Sequence, residues 1–229
     1  MSTAQKWLDV ISNNLANAST IGYKKDGLTF ADKLVRELAM DGGEGKAVGS
    51  LGNGATVDQQ YTDFSSGMIA MTGNPLDMAV RGSEGAFAIQ TQNGVRYTRD
   101  GAFQIGTDRQ LVSSGGHPVL DISGQPIKLG TGTVRVSDDG GVFVEGVRTA
   151  QIGVFEGDFE KIGANLLSSA NAKPSESPSL VVGGIESSNV NVVEEMVALI
   201  KVNRSFEMAQ RSAQSQDEST GKLMGALGR

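Results

Sequence analysis

The stretch Asn93-Gly94-Val95-Arg96-Tyr97-Thr98-Arg99-Asp100-Gly101-Ala102-Phe103-Gln104-Ile105 decides the fold class. Val95 and Tyr97, then Phe103 and Ile105, recur every second residue, the period of a strand with one buried face. Asn-Gly between alternating runs is the strongest local hairpin signal, and Asp100-Gly101 is a second turn pair. Outward from this stretch the alternation continues in Leu76, Met78 and Val80, in Val134 and Val136, and in Val142 and Val144. Gly115-Gly116 and Asp139-Gly140 punctuate it. An antiparallel β domain is predicted over residues 67–183, closed by the proline- and serine-bearing link 174–178 and by Gly183-Gly184.

Helical periods flank this region. Ala4, Trp7, Ile11, Leu15 and Ala18 are spaced by three and four, which predicts a helix over residues 2–18 with Gly22 as its left-handed stop. A second amphipathic stretch at 30–38 completes an N-terminal helical segment, 1–40. Gly42, Gly43, Gly45, Gly49, Gly52 and Gly54 mark a connector, 41–66. Beyond residue 184, Val192, Val193, Met196, Leu199, Ile200, Phe206, Ala209 and Ala213 form a helical stripe running from about 190 to 223. Ser188 or Asn189 is the predicted cap, with Glu194 and Glu195 in the first turns. The fold class is α+β: an antiparallel β-rich centre between two amphipathic helices. Such helices must bury their stripes. Asn203, Gln210 and Asp217 interrupt the second stripe, and the residues leave open whether the partner is the same chain or a neighbour.

Composition narrows the function. Thirty-one glycines and few aromatics favour turns over a large aromatic-lined cavity. A net charge of −6 with scattered basic residues gives no footprint for nucleic acid or an anionic membrane. Absence of cysteine excludes disulfides and thiolate sites. His117, the only histidine, stands in Gly115-Gly116-His117-Pro118 and reads as a turn residue. Gly130-Thr131-Gly132 leads into a strand and lacks the helix that a pyrophosphate cradle needs. Gly45-Lys46 fails as a phosphate loop because Ala47 and Met40 occupy key positions. Asp138-Asp139-Gly140-Gly141 lacks the closing carboxylate of a calcium loop, and adjacent Glu194 and Glu195 diverge on one helix. No catalytic, metal or cofactor site is expected. The segment 1–8 has neither the basic start nor the apolar run of a cleaved secretory signal.

The residues from Leu8-Asp9-Val10-Ile11-Ser12-Asn13-Asn14-Leu15-Ala16-Asn17 through Ala18-Ser19-Thr20-Ile21-Gly22-Tyr23-Lys24-Lys25 resemble the N-terminal signature of the flagellar rod and hook axial proteins. Glu186-Ser187-Ser188-Asn189-Val190-Asn191, with the helix through Arg204-Ser205-Phe206-Glu207, resembles their C-terminal signature. The segments 74–80, 97–103 and 116–119 are similar to family β-domain segments, so the likeness covers nearly the whole chain. The resemblance implies a structural subunit of the basal-body rod, with terminal helices paired as a coiled-coil-like inner domain. It also implies assembly with copies of itself and other axial proteins, and passage through the flagellar type III export apparatus without signal cleavage. Trp7, Ile11, Leu15, Met196, Leu199, Ile200 and Phe206 would then be subunit-packing residues, and Asn13, Asn14, Asn17 and Asn189 would satisfy polar groups near helix ends. Residues 74–77 and the short linker point to the proximal-rod type, while residues 186–191 suit the distal-rod type almost equally. Two departures stand out: family members begin about one or two helical turns earlier, and Ala86 stands where an aromatic is usual. The competing readings are a secreted β-rich binding or adhesion module and a hydrolase on a β scaffold.

Overall fold

Strand Gly85–Thr91 turns at Gln92 and Asn93 into strand Gly94–Thr98, pairing Thr91 with Gly94 and Phe87 with Thr98. Gly94 takes a φ of 96° whereas Asn93 does not adopt a positive value, the pattern of a bulged hairpin rather than a mirror-image two-residue turn. The computed structural model describes residues 2–32, 36–37, 50–51, 55–163 and 165–227. The glycine run 42–49 with Gly52 and Gly54, Leu38, and the rejected phosphate loop at Gly45-Lys46 lie outside these residues.

The hairpin is the centre of a six-stranded antiparallel sheet. Its order is Glu160–Gly163, Leu166–Ser168, Gly94–Thr98, Gly85–Thr91, Val154–Glu156 and Lys173–Pro174. Val134–Val136, Gly141–Val144 and Val147–Gln151 form a three-stranded sheet. Met78–Val80 pairs with Leu180–Val182, and Ile69–Met71 with Gly184–Glu186. One core gathers alternating residues of these strands, among them Met78, Phe87, Ile89 and Val142, together with Phe103 and Ile152 from the segments between strands. Phe87 and Phe103 meet edge to face with centroids 5.0 Å apart, the arrangement that ring quadrupoles favour. Ala86 is fully buried opposite Phe155.

The chain forms two compact units, one of residues 1–15, 26–61 and 191–229, the other of 16–25 and 62–190. The β unit therefore continues past residue 183 to Val190, and strand Gly184–Glu186 belongs to it. It also takes in the end of the N-terminal signature. The first unit holds helix α1, Ser2–Ala16, and helix α2, Val192–Leu227. No described helix is long and apolar enough to cross a membrane.

Between the helices this unit departs from expectation. Residues 26–32 are a strand, Asp26–Asp32, paired with Ala55–Thr62, and Arg36–Glu37 pairs with Ser50–Leu51. The described part of 26–40 is thus extended rather than helical, and residues 55–62 of the proposed connector are a strand. Gly27 and Thr29 are weak helix formers. A Cβ at Gly27 would stand 2.5 Å from the Tyr61 ring, and the Thr29 hydroxyl donates to Gln59 O and accepts from Gln59 N, each at 3.2 Å. Helix α1 ends two residues early, and α2 is capped by Asn191 rather than Ser188 or Asn189. Asn191 Oδ1 accepts from the backbone N–H of Val193 at 3.1 Å and of Glu194 at 3.4 Å.

Candidate functional site

The β unit closes on an ionic cluster built from three distant stretches of chain. Glu186, at the end of its strand, is 1% exposed, and Lys24 and Arg99 are each 2% exposed. Lys24 Nζ donates to Glu186 Oε1 at 2.7 Å and to Ser65 O at 2.7 Å. Arg99 Nη1 donates to Glu186 Oε2 at 3.2 Å and to Gly82 O at 2.8 Å. The Gly67 amide donates to Glu186 Oε1 at 2.8 Å. Two cations share one carboxylate, and Arg99 Nη2 is buried with no hydrogen-bond partner among the described residues. Burial pushes both the Lys24 ammonium and the Arg99 guanidinium below their ordinary values, with Glu186 pulling in the opposite direction.

Around this cluster residues 20–25 are tied down along their length. The Gly22 amide donates to Glu186 O at 2.7 Å, Asn165 Nδ2 to Ile21 O at 2.7 Å, and Lys161 Nζ to Lys24 O at 2.8 Å. Lys161 Nζ also sits 3.8 Å from the centroid of the Tyr23 ring, a cation–π contact. Asn189 joins three passages: its Oδ1 accepts from the Lys25 amide at 2.8 Å, and its Nδ2 donates to Asp63 O at 2.8 Å and to Ser65 O at 3.2 Å. Gly22 is not the helix stop, because α1 ends six residues before it. Its φ of 66° and its approach to Arg99, whose carbonyl carbon would lie 2.3 Å from a Cβ, make it a close-contact glycine.

The other singled-out residues lie mostly in the helical unit. Asn14 is buried and brackets Asp26, donating to its carbonyl at 2.9 Å and accepting from its amide at 3.0 Å. Its Nδ2 also lies 3.5 Å from Glu195 Oε1 on α2. Asn17, which belongs to the β unit, accepts from Thr20 through both its backbone and its side-chain oxygen. Asn13 is exposed. Ile11 is buried, Leu15 half-buried and Trp7 exposed. On α2, Leu199 and Phe206 are half-buried. Val193, Met196, Val197 and Ile200 stand at helical spacing and are 69%, 49%, 44% and 50% exposed.

The sequence reading missed Lys24, Arg99 and Glu186 as a group. All three stood inside the quoted signature segments, yet only the fold brings residues 24, 99 and 186 together. A lone acidic residue ending an apolar strand, at Gly184-Ile185-Glu186, was the available signal.

A buried carboxylate that holds chain passages together in one unit, and a helix with an exposed apolar stripe in the other, are features of a structural protein. Three family models match the chain: the C-terminal region of the flagellar basal body rod FlgEFG proteins over residues 181–226, the FlgE/F/G D1 domain of flagellar hook proteins over 79–144, and the flagella basal body rod proteins over 1–24. The flagellar basal-body rod protein FlgF of Rhizobium meliloti is 32% identical, with 98% of this chain and 92% of that protein aligned. FlgF of Mesorhizobium japonicum is 35% identical over 96% and 92% of the two chains. FlgG of Bacillus subtilis is 31% identical over 98% and 94%. The chain belongs to the flagellar basal-body rod proteins, a structural and not an enzymatic family.

Proposed function

We propose that this rod subunit polymerises with copies of itself and other axial proteins into a helical tube that carries torque. Its terminal helices pair in coiled-coil fashion along the rod axis, and its β unit faces outward. In this reading Trp7, Ile11, Leu15, Met196, Leu199, Ile200 and Phe206 pack subunits together, while Asn13, Asn14, Asn17 and Asn189 satisfy polar groups at the helix ends. The chain leaves the cell interior through the flagellar type III apparatus, with no signal cleaved. The short linker and residues 74–77 favour the proximal-rod, FlgF-like role over the FlgG-like one.

The observation that carries this reading is the uncovered stripe Val193, Met196, Val197 and Ile200 on a 36-residue helix. Covering the exposed half of each side chain is worth about 1 kcal/mol, a sum of a few kcal/mol that a neighbour collects and a solitary chain forgoes. The test is the double substitution Met196→Asp and Ile200→Asp. The variant should remain monomeric in sedimentation at concentrations where the parent associates, with the melting of the β unit unchanged, and should not restore swimming to a strain lacking the subunit. Normal association and swimming with both aspartates in place would remove the basis of the proposal.

A further inference from the structure

We infer that residues 16–25 form a clasp on the β unit that opens as a unit while the sheet stays folded. The asymmetry of the ionic cluster leads there. When Lys24 withdraws, Glu186 keeps Arg99 at 3.2 Å and the Gly67 amide at 2.8 Å, so the carboxylate left behind is still paired. The withdrawing ammonium meanwhile regains its hydration, and the buried surplus of positive charge disappears. The main apolar cluster is built from residues 78–180 and takes no side chain from the clasp, whose one buried aromatic is Tyr23. Besides Lys24, the clasp is held by hydrogen bonds from Gly22, Lys25, Lys161 and Asn165, which water can replace, and by the buried ring of Tyr23, whose exposure is the apolar cost of opening. The residues leading out of α1 can therefore be reseated on the β unit, as when a neighbouring subunit is engaged, without disturbing its core. This inference does not rest on polymerisation, and its test reads a single chain.

Native-state hydrogen exchange on the full chain tests it. The amides of Gly22, Lys25 and Asp63, which donate to Glu186 O, Asn189 Oδ1 and Lys25 O, should exchange together through one opening with weak denaturant dependence. The amides of Leu120 and Ile127, bonded to Ala88 O and Val119 O, should exchange only on global unfolding. Equal protection and equal denaturant dependence for the two groups would overturn the inference. Ile89→Val provides the second arm, since it removes a methylene from the core that stays folded when the clasp opens. It should speed exchange at Leu120 and Ile127 about fivefold, through global stability alone, and leave Gly22, Lys25 and Asp63 unchanged. Acceleration of all five amides by the same factor would show that clasp and sheet are one cooperative unit.

Discussion

Three single substitutions in one buried cluster should have very unequal effects. Glu186→Gln preserves shape but removes the negative charge paired directly with Lys24 and Arg99, whose nitrogens lie 2.7 and 3.2 Å from its oxygens. Two cations are then left buried without their paired carboxylate, and breaking a buried pair in this way costs about 3–5 kcal/mol. Lys24→Met leaves Arg99 and Glu186 as a neutral pair and loses one bond to Ser65 O, so its net effect should stay within about 1 kcal/mol of the parent. Arg99→Met leaves Lys24 with Glu186 and exposes Gly82 O to an apolar neighbour, an intermediate loss of about 1–3 kcal/mol. Thermal unfolding of the full chain followed by calorimetry reads the difference. At about 2–4 °C per kcal/mol for a chain of this size, Glu186→Gln should lower the β-unit transition by on the order of 10 °C, and Lys24→Met by a few degrees at most. If Lys24→Met proves as damaging as Glu186→Gln, or Glu186→Gln is nearly silent, charge sharing at Glu186 is not what holds the three passages.

Lys24 also gives a pH signature: its pKa lies below the ordinary 10.5, chiefly through burial, so as pH rises toward that value the folded chain loses this proton before the unfolded chain does. Stability should then rise with pH relative to the Lys24→Met variant over the alkaline window below 10.5, and parallel denaturation curves for parent and variant at pH 8 and pH 10 would contradict it. Tyr97, raised by burial from 10.0, works in the other direction but is common to both proteins and cancels in the comparison. Asn191→Ala should cost the first turn of α2 about 1 kcal/mol, read as about fivefold faster amide exchange at Val193 and Glu194 with the β-unit melting unchanged.

The central sheet was legible because period-two alternation and Asn93-Gly94 are local signals, and local geometry determines them. Helix α2 was legible for the same reason, but its cap was not. Ser188, Asn189 and Asn191 are all good capping types, and the choice depends on Asn189 being occupied with Lys25 and Asp63, residues more than a hundred positions away. The strand Ala55–Thr62 was hidden by glycines before it, and its partner Asp26–Asp32 by its neighbourhood to a helix. Gly22 was correctly marked as a special backbone position, but for the wrong reason: its demand comes from the approach of Arg99, not from the end of α1.

The three family matches, over residues 1–24, 79–144 and 181–226, look like three separate signatures along the chain. Each contributes one member to a single object: Lys24, Arg99 and Glu186. Most residues that follow α1 are polar or small, Asn17, Ser19, Thr20 and Gly22 among them, so apolar burial, chiefly at Tyr23, fixes little of where they lie. The buried carboxylate adds directional contacts: in this placement Lys24 Nζ meets Glu186 Oε1 and Ser65 O while the Gly22 amide meets Glu186 O. An ionic cluster of this kind adds little net stability over a well-packed apolar one, yet a register that kept Lys24 buried away from Glu186 would carry an unpaired charge, whereas a passage released to water leaves Glu186 paired with Arg99. For a subunit whose role is geometry, that penalty is the useful quantity. It positions residues 16–25 and 186–190, the passages adjoining both helices, against one point of the β unit.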